Sequence, residues 1–115
     1  MSAAASKNIN HMEHQKLRKN GGQWLKELRE RAGYTQRSFA VAVGVDYYTF
    51  ISQIETGRGS VPKERYTTWA SILGINPREF LREYMKFFEP ISYSILFDES
   101  AHLKVVADND GDHPA

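Results

Sequence analysis

Tyr48, Thr49, Ser52, Gln53 and Thr56 carry hydroxyl or amide groups at steps of one, three and four residues, the repeat of a single helix face. None of the five is acidic, so this face offers donors and acceptors without repelling a polyanion. Such a surface suits hydrogen bonding to base edges. With Ile51 at zero and about 100° per residue, Tyr47, Phe50, Ile51 and Ile54 fall within about a third of the circumference. They form the predicted core face, and Tyr47 is expected to be buried there.

A second short helix must precede this one to position it. Thr35 is placed to cap it by accepting a hydrogen bond from a free backbone N–H, and Phe39, Ala40 and Val43 then share an inward face. Gly44 follows the last apolar residue, where a left-handed backbone stops a helix at little steric cost. Asp46 is the predicted cap of the next helix, read as residues 46–56. The expectation is helix, tight turn, helix.

Thr35-Gln36, Phe39-Ala40, Val43-Gly44-Val45 and Ile51-Ser52-Gln53-Ile54-Glu55-Thr56-Gly57 together resemble the helix-turn-helix of phage repressors and Cro, the XRE family of bacterial and phage regulators. The resemblance covers roughly residues 21 to 84. It implies an all-α fold, a five-helix repressor-like bundle with a short C-terminal extension, whose second motif helix enters the major groove of double-stranded DNA. It implies base reading by Tyr48, Thr49, Ser52, Gln53 and Thr56. It places phosphate contacts at Thr35, Gln36 and Arg37, and along the following segment at Arg58, Lys63 and Arg65. One departure stands out: twelve residues separate Gly44 from Gly57, one more than the family's usual spacing. Either the turn is longer or the second helix starts early. Anchored on Ile51 and Ile54, the reading positions fall on Tyr48, Thr49 and Gln53; anchored on Gly44, they move to Tyr47 and Tyr48. The first anchoring is preferred because the helical wheel sends Tyr47 inward.

With 115 residues, 41% of them hydrophobic, the chain supports one small domain. It has no cysteine, which excludes disulfides and thiolate metal sites. It also has no apolar run approaching a membrane span or a signal peptide, so a cytoplasmic protein without membrane attachment is expected. The net charge of +1 conceals an asymmetry. Residues 1–97 hold 14 Lys and Arg against 9 Asp and Glu, net +5, whereas residues 98–115 hold one Lys and five acids, net −4. The folded part is thus mildly basic, as a partner of a polyanion would be.

Residues 1–20 are polar and basic and are expected to form a disordered arm. His11 and His14 would share a helix face, but without cysteine or a carboxylate cluster no metal site is expected. From Gly22, Trp24, Leu25, Leu28 and Ala32 predict a first helix ending at Gly33, with Lys26, Glu27, Arg29, Glu30 and Arg31 on its solvated side. After the Gly57-Arg58-Gly59-Ser60 loop, Pro62 suits a first helical position, and Tyr66, Trp69, Ala70 and Leu73 predict a fourth helix in which Trp69 is core. Asn76-Pro77-Arg78-Glu79 starts a fifth, carrying Phe80, Leu81, Tyr84, Met85 and Phe88 until Pro90 interrupts it.

Ile91 to Phe97 admits two readings, an alternating strand or a short helix opened by Pro90, of which the helix is preferred. Phe80, Tyr84, Phe87, Phe88, Ile91 and Ile95 add more apolar surface than water tolerates. They either cover the domain's own core or form a homodimer interface. The predicted organisation is an arm (1–20), a DNA-binding domain (21–88), an apolar segment (89–97) and a disordered acidic tail (98–115). No Ser-His-Asp set, phosphate-cradling glycine loop or carboxylate–His cluster supports catalysis, and no cofactor is expected. The competing reading is an antitoxin or other protein-interaction module that binds DNA only secondarily; its protein partner is unknown.

Overall fold

A computed structural model describes residues 11–98. Six α-helices follow one another: α1 His11–Arg31, α2 Gln36–Val43, α3 Tyr48–Glu55, α4 Tyr66–Leu73, α5 Pro77–Phe88 and α6 Pro90–Phe97, with a 3-10 turn Lys63–Arg65 leading into α4. Among the described residues there is no strand, and no helix is long and apolar enough to cross a membrane. The all-α expectation holds. The expected tail 98–115 lies outside the described residues apart from Asp98, as do residues 1–10 of the expected arm.

Residues 11–20 correct the expected disorder: they are the first half of α1, which continues through Gly21 and Gly22 without a break. Gly22, from which the sequence predicts the helix, and Gly21 before it are buried in its middle. A Cβ on Gly21 would stand 2.6 Å from the Phe87 Cβ of α5, and one on Gly22 would overlap the Ile54 and Glu55 carbonyls at the end of α3. Two missing side chains therefore let α1 lie directly across two other helices. Beyond them Leu25 is buried, and the half-buried Trp24 ring packs 5.6 Å from both Phe80 and Phe87. Ala32, expected on the inner face, is exposed just past the helix end.

The core gathers Phe39, Ala40 and Val43 of α2, Ile51 and Ile54 of α3, Val61 of the loop after α3, Trp69 and Ala70 of α4, and Phe80, Tyr84 and Phe88 of α5. Phe39 meets Trp69 edge to face at 5.0 Å, and Tyr84 stacks on Phe88 at 4.2 Å. Pro62 precedes the 3-10 turn, so α4 opens four residues later than the proline suggested. Asn76 caps α5 as expected, its side-chain oxygen accepting from the Arg78 and Glu79 N–H groups at 2.9 and 3.3 Å.

Phe80 and Tyr84 are each 1% exposed and Phe88 7%, which withdraws all three from the expected interface. They close the domain's own core, and Phe87 packs on Trp24. Ile91 to Phe97 is helical rather than extended, because Pro90 needs no N–H partner at a first helical position and Tyr93 N–H finds Glu89 O at 2.9 Å. This α6 buries no residue. It leans back on α5 through Arg82 over the Phe97 ring and Lys86 over Tyr93, leaving Ile91, Ile95 and Leu96 outward.

Candidate nucleic-acid interface

Thr35 caps α2 as the sequence suggests, in a reciprocal arrangement. Its Oγ1 accepts from Ser38 N–H at 3.0 Å, and Ser38 Oγ accepts from Thr35 N–H at 2.9 Å. Gly44 ends the helix at φ 80°, a conformation costly for any residue with a Cβ. The Arg65 guanidinium presses on the same point and donates from Nη1 to Val43 O at 2.9 Å. Arg65, expected at a phosphate, thus braces the turn and is half-buried.

The turn occupies Gly44 to Tyr47, and α3 starts at Tyr48 rather than at residue 46. The surplus residue is therefore absorbed in the turn and the helix does not begin early. Asp46 does not cap: Tyr47 holds the capping position with extended backbone, and no side chain bonds to the free amides. Tyr47 is also not buried. At 74% exposure it corrects the helical wheel, which extended helical angles one residue beyond the real helix start.

From Tyr48 onward the wheel holds. Ile51 and Ile54 are fully buried, Phe50 is half-buried, and Tyr48, Thr49, Gln53 and Thr56 are exposed, with Ser52 half-covered. The exposed side chains do not form one site. Tyr47, Thr49 and Gln53 line a cleft of about 450 Å³ with Asp46, Pro62 and Arg65. Tyr48 faces the other side, its ring 4.4 Å beneath the Arg37 guanidinium, in a cleft shared with Thr35 and Gln36. Thr56 turns its hydroxyl onto the Ser52 carbonyl at 2.9 Å at the far end of the helix, near Arg58. Arg58 and Lys63 are exposed.

Beneath this surface lies a polar cluster built on Arg29, which the sequence places on the solvated side of its helix. Arg29 is 5% exposed and donates from Nε to Glu55 Oε2 at 2.6 Å and from Nη2 to Oε1 at 3.1 Å. Its Nη1 holds the Tyr34 carbonyl at 2.7 Å, and Gln36 Nε2 donates to Glu55 Oε1 at 3.0 Å. One carboxylate thereby ties α1, α2 and α3 together. The amide of Gln36, expected at a phosphate, is engaged inward. The signal was present: Arg29 stands one turn past Leu25 and Glu55 one turn past Ile51, opposite charges on two apolar stripes.

The geometry is that of two short helices crossing at a glycine turn, with the second presenting amide and hydroxyl groups outward. A family model described as a helix-turn-helix domain matches residues 22–82, more than half of the chain. The chain belongs to that family. Its members occur among XRE-type transcription regulators, in agreement with the resemblance carried by the turn and the paired isoleucines. The helix-turn-helix is a DNA-binding domain, and α3 is its second helix. No curated protein matches the sequence.

Proposed function

We propose that the protein is a sequence-specific transcriptional regulator, acting in the cytoplasm without cofactor, that binds a palindromic operator as a homodimer with α3 in the major groove. One observation carries this reading: α3 buries Ile51 and Ile54 completely while directing Thr49 and Gln53 outward with no acidic residue on that helix face. Gln53 offers the paired donor and acceptor that match adenine, Thr49 serves either base type, and the Tyr48 ring fits a thymine methyl. Arg37, Arg58 and Lys63 surround them as phosphate partners.

A helix of this length reads only about four to six base pairs, so selectivity calls for two copies with half-sites about 34 Å apart. The outward Ile91 and Ile95, one turn apart on α6 and 54% and 63% exposed, are the surface for that pairing. Selection from a randomised duplex library should enrich a palindrome, and failure to enrich any sequence would refute sequence-specific binding. On the enriched site Gln53→Ala should lose about 1–3 kcal/mol while binding random duplex nearly as before. Sedimentation should show a dimer that Ile91→Asp/Ile95→Asp reduces to a monomer; a wild-type monomer both free and on DNA removes the dimer from the proposal.

A further inference from the structure

Half of α1 precedes the matched domain, and its position is fixed by close backbone contact. Gly22 seats the helix on the last carbonyls of α3, and one turn earlier Lys19 lies against Gly57, where a Cβ would stand 3.1 Å from the Lys19 N and Cα atoms. The helix therefore crosses the end of α3 and continues past it, with His11 to Lys16 all exposed. Gln15, Lys16 and Lys19 on α1 then face Thr56, Gly57 and Arg58 across a groove of about 560 Å³. Three of the residues lining that groove are cationic and none is acidic.

We propose that this groove is a second DNA contact, in which Lys16 and Lys19 join Arg58 on the phosphates of one strand. The inference rests on the DNA-binding reading above and extends it to a part of the chain outside the helix-turn-helix. Its physical basis is placement. A helix with its side chains is about 10–12 Å across and fills the major groove by its diameter, so α3 sets its N-terminal residues on the bases and its far end, Thr56 to Arg58, comes out beside the groove wall. The wall is the sugar–phosphate strand. A helix crossing that end brings its own cations to the same strand, and lysines one turn apart suit point contacts with phosphate oxygens, which carry no sequence information.

The test measures binding of the full chain to a short fluorescein-labelled duplex of random sequence across roughly 50 to 200 mM salt. The variants are Lys16→Ala, Lys19→Ala and the pair, with Arg78→Ala, at the start of α5 and outside the groove, as the charge-matched control. Each lysine should lower the slope of log affinity against log salt by about one unit, and the pair by about two, with melting temperature unchanged and Arg78→Ala close to wild type. Affinity for a library-selected site should fall by the same factor as for random duplex. A wild type that binds while the pair leaves its slope unchanged overturns this contact alone, as does a lowered melting temperature at unchanged slope, which would make the lysines partners of the α3 carbonyls. A slope loss in Arg78→Ala equal to that of either lysine also overturns it, since net charge would then suffice. A wild type that binds no duplex at any salt overturns the DNA-binding reading, and this contact with it.

Discussion

Arg29 and Glu55, twenty-six residues apart, form a two-point ion pair at 2.6 and 3.1 Å, with both side chains about 95% removed from water. The pair fixes the end of α3 to α1, so the outward face of α3 is held at a set angle to the rest of the domain. Arg29→Ala should destabilise by about 3–5 kcal/mol in urea unfolding, because it leaves the Glu55 charge buried without its partner. Arg29→Met/Glu55→Leu should recover much of that loss while weakening DNA binding. A double variant as unstable as the single one would argue that the pair contributes net stability beyond avoiding an isolated charge.

Gly22→Ala sets two effects against each other. Alanine gains about 1 kcal/mol in helix propensity, yet its Cβ meets backbone carbonyls of α3 that cannot rotate away. The clash should win, with a net loss of about 1–3 kcal/mol and a lowered melting temperature. An unchanged or raised melting temperature would show that α1 can lift off α3 at little cost.

Tyr84 gives a pH-dependent prediction. Burial first, and then the Tyr66 hydroxyl beside it, raise its pKa above the ordinary 10.0, against the lowering effect of the Val61 N–H that donates to its oxygen at 2.9 Å. Tyr66 is raised as well, burial again leading. Because the folded value exceeds the unfolded one, the stability these groups protect is complete below about pH 10 and is lost as pH rises above it. Tyr84→Phe should cost about 1–3 kcal/mol at neutral pH, by leaving the buried Val61 N–H without its partner. It should also show a shallower alkaline loss than wild type. Parallel alkaline limbs would place the titrating group elsewhere.

Tyr47→Ala should leave thermal stability within about 0.5 kcal/mol of wild type, since its ring stands in the open. Its place in the cleft with Thr49 and Gln53 makes a change in base preference the expected effect, read by library selection with the variant. A large drop in melting temperature with unchanged preference would return Tyr47 to a structural role.

The sequence alone determined what depends on short-range periodicity and on single-residue backbone chemistry. Thr35 and Asn76 at helix starts, Gly44 at the turn, the inward Ile51 and Ile54, and the outward Thr49 and Gln53 all follow from a 3.6-residue repeat and from which side chains accept N–H bonds. Tertiary structure decided what depends on distant partners. Gly21 and Gly22 look like a helix start until the Ile54 and Glu55 carbonyls and the Phe87 side chain occupy the space a Cβ would need. Arg29 looks like a solvated charge until Glu55 arrives from α3, because pairing across the chain reverses the cost of burial. Phe80, Tyr84 and Phe88 are equally consistent with a core or an interface when only their own helix is known. The choice belonged to α1, α4 and the Val61 segment, which cover them, and to α6, whose isoleucines stay exposed among the described residues.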